Sequence, residues 1–185
     1  MTDALAAAAA ALRDGAVVAY PTEAVYGLGC DPLDESAVSR LFRLKQRPPT
    51  QGVLLIADDF SQVQAFIDLA AMPAEALARA RATWPGPHTW IFPRSQNTPA
   101  WLTGAHSGIA VRVTAHARAA ALCRAFGGAL VSTSANRHGE PPARSADEVR
   151  AMFGSELGFI LDGATGGLER PTPIRDAMSG EAIRN

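Results

Sequence analysis

The sequence predicts an α/β domain built on one twisted, mixed parallel and antiparallel sheet with helices packed against it. Helical and strand-like stretches alternate along the chain, separated by short Gly, Pro and Asp turn signals. Hydrophobic residues fill 48% of 185 positions, enough for a full core at this length. No internal repeat or long polar linker divides the chain, so a single domain over residues 1–185 is expected. The order of elements calls for both parallel and antiparallel neighbours.

The elements follow in order. A first helix of strong helix formers, capped by Thr2, runs to Asp14 and stops at Gly15. Residues 16–20 read as a strand that Pro21 breaks, and a glycine-spaced turn follows. Asp34 opens a helix over 35–46 with Val38, Leu41, Phe42 and Leu44 on or near one face, and Pro48-Pro49 ends it. A strand at 53–57 precedes helices at 62–69 and 74–83, the second led by Pro73. The turn Trp84-Pro85-Gly86-Pro87 leads into a strand at 88–92. After a strand at 108–113, Thr114 caps a helix that ends at Gly127-Gly128. A strand at 129–132 feeds a polar loop. Ser145 and Glu148 form a capping-box pattern for a helix reaching Phe153. Strands at 159–161 and 174–178 flank a glycine-rich turn at 163–167.

Composition narrows the function. A net charge of −1 argues against coating nucleic acid by bulk charge, while leaving room for a local basic patch. The two cysteines, Cys30 and Cys123, form neither a CxxC pair nor a zinc cluster, so a reducing, cytoplasmic setting is expected. The longest apolar run, residues 5–12, is too short to span a bilayer. It follows Asp3 rather than a basic segment, so neither a signal peptide nor a membrane partner is expected. His88, His106, His116 and His138 lack metal spacing, and no metal site is expected. No GxxxxGK[ST], GxSxG or HExxH occurs.

Of 17 basic residues, all are arginine except Lys45. An arginine-biased genome explains the sixteen. It leaves the lysine either a chance survivor or a point charge chosen for a phosphate. Arg40, Arg43, Lys45 and Arg47 fall within eight residues without an acid. They form a solvated helix end or a ligand-directed cluster where the helix gives way to Pro48-Pro49. Ser132, Thr133, Ser134 and Asn136 follow an apolar strand, where α/β sheets gather ligand loops. Their hydroxyls and amides can hold phosphate oxygens or bond their own backbone as a turn. After Pro21, Thr22 can bind a polar ligand, and Glu23 can be a base, a metal ligand or a cap. Arg112, in an otherwise apolar strand, needs an anion: a structural carboxylate or a ligand carboxylate. Arg144 and Thr172, each beside prolines, are weaker candidates.

Six segments occur in one order: Ala19-Tyr20-Pro21-Thr22-Glu23-Ala24-Val25-Tyr26-Gly27, Leu44-Lys45-Gln46-Arg47-Pro48, Trp84-Pro85-Gly86-Pro87, Ala110-Val111-Arg112-Val113, Leu130-Val131-Ser132-Thr133-Ser134-Ala135-Asn136 and Pro171-Thr172-Pro173-Ile174-Arg175-Asp176. Together they resemble the YrdC family in its short bacterial form, over nearly the whole chain. The resemblance implies a twisted mixed sheet with a basic concave surface. It also implies synthesis of threonylcarbamoyl-AMP and pyrophosphate from L-threonine, bicarbonate and ATP, with Mg2+ bound through the ATP phosphates. Downstream proteins then transfer the threonylcarbamoyl group to tRNA. By the same resemblance, Lys45 and Arg47 are catalytic and, with Ser134 and Asn136, hold the nucleotide. Ser132, Arg144 and Arg184 lie near the nucleotide, and Thr22, Arg112 and Thr172 surround threonine.

The chain also departs from the pattern. Longer relatives add a linker over the active site and a C-terminal domain, whereas the sequence ends at Asn185. Gln51 stands near where a histidine often lies, and Thr172 replaces a frequent serine while keeping the hydroxyl. The alternative reading is a module that binds tRNA or double-stranded RNA on the same basic concave surface, through shape and phosphates.

Overall fold

The computed structural model describes residues 2–184. Its helices are α1 (Thr2–Arg13), α2 (Glu35–Lys45), α3 (Ala74–Arg81), α4 (Ala100–Thr103), α5 (Ala117–Phe126) and α6 (Ala146–Phe153). Its strands are β1 (Val18–Pro21), β2 (Tyr26–Gly29), β3 (Leu54–Ala57), β4 (Thr89–Pro93), β5 (Gly108–Val113), β6 (Leu130–Ser134), β7 (Phe159–Ile160), β8 (Ile174–Asp176) and β9 (Ala182–Arg184). They join in the order β7-β1-β2-β6-β3-β5-β4-β8-β9. The pairs β1/β7, β3/β5 and β4/β8 are parallel and the others antiparallel, giving the mixed sheet expected.

Side chains alternate across this sheet, and each face has its own burial. Leu28, Leu55, Trp90, Val111 and Val131 point into the larger core, together with Val38, Leu41 and Phe42 of α2. On the opposite face, Val18, Tyr20, Ile56 and Leu130 are covered by Ala8 and Leu12 of α1 and Leu122 of α5. Further along the same strands come Ser132 and Ser134 of β6, Leu54 of β3, Ala110 and Arg112 of β5, and Thr89 and Ile91 of β4. The register aligns Leu54 with both Ser132 and Ala110, and Ala110 with Ile91. This second half of the face forms the floor of a cavity.

Asp34 caps α2 as expected, its carboxylate accepting from the Ser36 and Ala37 amides at 2.9 and 3.1 Å. The other end closes on Gln46 in the left-handed region, at φ 52°. The Arg47 amide donates to Phe42 O and the Gln46 amide to Arg43 O, a double closure that tightens the helix end. It sends Lys45 inward and Arg47 toward the cavity.

Four local readings need correction. Residues 62–69 are not an α-helix but part of a series of 3-10 turns, Phe60–Gln62, Gln64–Phe66 and Leu69–Ala71. Asp59 and Asp68 bind the amides of Ser61 and Ala70, offering the backbone an alternative to helix. The cap of α5 is His116, not Thr114. The Thr114 hydroxyl instead donates to Glu23. Pro21 pairs with Tyr26 at the end of β1 rather than breaking it, and the turn read after it contains β2.

The glycines of β2 admit close neighbours. A Cβ on Gly29 would lie 2.6 Å from Val131 O and 2.7 Å from the Tyr20 ring. Gly29→Ala is therefore expected to destabilise the fold by about 1–3 kcal/mol. Urea unfolding checks this, and a midpoint equal to wild type would show that β2 tolerates the methyl.

Candidate active site

The cavity has a volume of about 640 Å3. Arg47, Arg112 and Arg184 line it with the hydroxyls of Thr22, Ser132, Thr133, Ser134 and Thr172. No Asp or Glu is among the described lining residues. The expected basic concave surface is thus an arginine-lined pocket on the open half of the sheet face.

Six of the sequence-predicted site residues besides Arg47 and Arg184 also reach this wall or its immediate support. Arg112 is 4% exposed, and its Nη1 donates to Thr172 Oγ1 at 2.7 Å across 60 positions of sequence. Its counter-charge is structural: Glu23 Oε2 lies 3.7 Å from Nη2. Thr22 Oγ1 donates to Val25 O at 2.7 Å, closing the β1–β2 turn with its oxygen lone pairs still available. Ser132 is buried on the cavity floor. Ser134 Oγ donates to Asn136 Oδ1 at 2.6 Å. Asn136 Nδ2 donates to the carbonyls of Arg137 and Glu140, so Asn136 shapes the loop from behind.

Arg47 stands half-buried at the cavity wall. Its Nη1 donates to Thr133 Oγ1 at 3.3 Å, and Nη2 donates to Gly52 O at 2.8 Å and Gln51 O at 3.3 Å. Burial holds its guanidinium below the ordinary arginine pKa. Arg184 donates to Thr172 O at 2.9 Å. Desolvation, then the charge of Arg112, lowers its pKa.

Lys45 and Arg144 occupy different places from those expected. Lys45 is only 4% exposed and is not part of the lining. Its ammonium donates to Ser134 O at 2.5 Å, Asn136 O at 2.8 Å and Asn136 Oδ1 at 3.2 Å. The lysine holds the loop instead of facing the cavity, because three oxygens converge on its three donors. Desolvation, then the charge of Arg47, lowers its pKa from 10.5 to about 8. Arg144 lies outside the cavity, with Nη2 donating to Glu169 O at 2.8 Å and Nη1 to Leu168 O at 3.5 Å. It clamps the segment that carries Thr172 into the wall.

Thr89, Thr103, His106 and Ser107 also line the cavity, though no motif marked them. Thr89 shares its strand face with the apolar Ile91, so alternation along β4 does not mark it. His106 sits on a loop whose Ala105 amide donates to Thr50 O, a contact that only folding creates. Both cysteines are buried and unbridged. Among the described residues, no three His, Cys, Asp or Glu side chains cluster to hold a metal, and no helix is long and apolar enough to cross a membrane.

The family model described as telomere recombination, for Sua5, YciO and YrdC proteins, matches residues 10–185. A protein of Stenotrophomonas maltophilia (strain K279a) named threonylcarbamoyl-AMP synthase is 54% identical over 181 residues, 98% of this chain and 97% of that one. Its namesake in Halorhodospira halophila is 56% identical over 177 residues, 96% and 92% of the two chains. Among solved structures, P. abyssi Sua5 complexed with L-threonine matches at TM-score 0.87 and 35% identity, over 93% of this chain. The match takes in 50% of that Sua5 chain. E. coli YciO matches at TM-score 0.80 and 25% identity, over 100% of this chain and 92% of its own. The chain belongs to the Sua5/YciO/YrdC family.

Proposed function

We propose that this chain is a threonylcarbamoyl-AMP synthase that joins L-threonine, bicarbonate and ATP into L-threonylcarbamoyl-AMP and pyrophosphate. The observation that carries the reading is one cavity with two chemically distinct sets of groups. Arg112 and Thr172, with Thr22, suit an amino acid, and Arg47 with Ser132 and Ser134 suits phosphates. The names of the relatives and the threonine complex of Sua5 support it.

Threonine's ammonium loses one proton to solvent, and the amine nitrogen bonds to the carbon of bicarbonate by way of carbon dioxide. The bicarbonate hydroxyl leaves with the second amine proton as water, and a carbamate remains. A carbamate oxygen then attacks the α-phosphorus as the bond to the β-phosphate oxygen breaks, and pyrophosphate leaves with that electron pair. The carbamate is already anionic, so the step depends on alignment and charge stabilisation more than on a protein base. Arg47 supplies the cavity-facing positive charge, and Arg184 assists at the nucleotide. Ser132 and Ser134 orient the phosphates. Lys45 and Asn136 keep the Ser134 loop in shape while Lys45 adds charge from behind. Arg144 acts through the Thr172 segment. The described lining provides hydroxyls and guanidiniums rather than carboxylates, so the fit is to Mg2+ arriving on ATP phosphates, and no step is assigned to a protein-held ion. The adenylate passes, in the cytoplasm, to proteins that modify tRNA.

Incubation with ATP, Mg2+ and bicarbonate, with and without threonine, tests the reading by mass detection of the adenylate. Threonine-dependent adenylate is expected. ATP consumption indifferent to threonine would refute it, and tRNA affinity that falls steeply with salt, without turnover, would favour the RNA-binding alternative.

The Lys45 pKa of about 8 adds a pH prediction. Below it the ammonium has three hydrogens for three oxygens, and above it the amine has two. Activity is expected to fall as pH rises through about 8. Folding responds in the opposite sense, because the unfolded lysine keeps its proton up to about 10.5. Below pH 8 both states carry the charge, and its burial opposes folding by roughly 3 kcal/mol. That penalty is relieved between about pH 8 and 10.5. A kcat/KM profile measured beside thermal unfolding should show activity falling without lost stability from this group. Threonine's ammonium also loses its proton as pH rises, so the Lys45 contribution is read against Lys45→Met. A profile of the same shape from about pH 7 to 9 in both proteins would remove Lys45 from the ionisations that matter.

A further inference from the structure

Glu23 has no part in the chemistry above, yet it is fixed from several sides. Thr22 N and Thr22 Oγ1 both donate to Val25 O, which closes the turn that carries it. The Leu168 amide donates to Glu23 O. Thr114 Oγ1 donates to Oε1 at 2.5 Å. The second oxygen, Oε2, is buried without a hydrogen bond and lies 3.7 Å from Arg112 Nη2.

That distance permits attraction but is too long for a hydrogen bond. Arg112 is therefore neutralised without committing Nη2 to the carboxylate. Nη1 reaches Thr172, and no hydrogen bond to another described residue engages Nη2. Among the described residues, Arg47 and Arg184 have no carboxylate within ion-pair distance, so Glu23 sets the charge at one end of the cavity only.

We propose that Glu23 is the positioning residue that makes the amino-acid end of the cavity selective for a zwitterion. This rests on the proposed synthase reading. With Glu23 ionised, the Glu23–Arg112 pair is a dipole of no net charge, matching a ligand that carries an ammonium and a carboxylate. Without it, Arg112 is an unbalanced cation beside Thr172, which favours plain carboxylates and repels the ammonium.

Glu23→Gln keeps an acceptor for Thr114 and removes the charge. Threonine KM is compared with inhibition by the hydroxy acid in which a hydroxyl replaces threonine's amine. The wild type is expected to prefer threonine, and in Glu23→Gln that preference should fall at least about tenfold, with the ATP KM within about twofold. Glu23→Asp, which keeps the charge, should retain most of the preference. An unchanged preference in Glu23→Gln overturns the proposal, as does an equal loss for threonine and ATP, the mark of a merely structural role. So does an equal loss of preference in Glu23→Asp. Should Glu23→Gln fail to fold, Thr114→Val unties Oε1, and a preference lowered about threefold is expected. No change there is equally decisive against the proposal. Threonine-independent ATP use by the wild type is a separate result that removes both this proposal and the synthase reading.

Discussion

Lys45→Met is expected to slow adenylate formation at least about 30-fold, because about 2–4 kcal/mol of transition-state stabilisation is at stake. The loss has two sources. A positive charge disappears from behind the phosphate-facing loop, and Ser134 O, Asn136 O and Asn136 Oδ1 lose their common donor. Stability responds less than activity. Removing a buried ammonium relieves its desolvation. Asn136 Oδ1 keeps the Ser134 hydroxyl and Ser134 O keeps the Asn136 amide. The orphaned oxygen is therefore Asn136 O, at a cost of about 1–3 kcal/mol. A folded protein of modestly reduced stability is expected. Lys45→Arg should not rescue it, since a planar fork cannot direct donors at three oxygens converging on one atom. Pyrophosphate release measured in single turnover checks both variants. A folded Lys45→Met protein working at the wild-type rate would remove Lys45 from the site.

Arg112→Met is expected to be the most damaging single change to the fold. It leaves the Glu23 carboxylate buried with Thr114 but without a cation. Breaking a buried pair from one side costs about 3–5 kcal/mol. Threonine use should be lost with it, because Thr172 loses its partner and the cavity loses the guanidinium beside it. The double variant Arg112→Met/Glu23→Gln should recover most of the stability and none of the activity. Denaturant unfolding of the four proteins in the cycle measures the coupling. Additive losses would mean that the 3.7 Å pair contributes little to stability.

Much of the frame is legible in local chemistry. The cap at Asp34, the glycine end of α5 at Gly127 and the Ser145 cap of α6 each depend on residues within a few positions, and each is realised. The strand over Gly108–Val113 is likewise legible from its apolar run. The turns around Phe60–Ala71 were not. A helix is expected over 62–69, and the competing bonds of Asp59 and Asp68, with the Ile67–Arg94 bridge, replace it with 3-10 turns. Glycines hid β2, whose pairing with β1 and β6 is a property of the sheet.

The site divides in the same way. Residue types and their order supply the inventory: the single lysine, the hydroxyl-rich segment after an apolar strand, and an arginine in an otherwise apolar strand. The order of the six motifs is likewise a property of the sequence, and it is the order that resembles the YrdC family. Which of these groups face the cavity depends on contacts between distant segments. Arg112 meets Thr172 and Glu23 because β5, the β1–β2 turn and the segment before β8 converge there. Lys45 turns away from the cavity because the Ser134 loop presents three oxygens to it, while Arg47, two residues on, reaches the wall. Hydrogen-bond satisfaction and desolvation depend on neighbours distant in sequence, so residue type and spacing supply the candidates and packing assigns their roles.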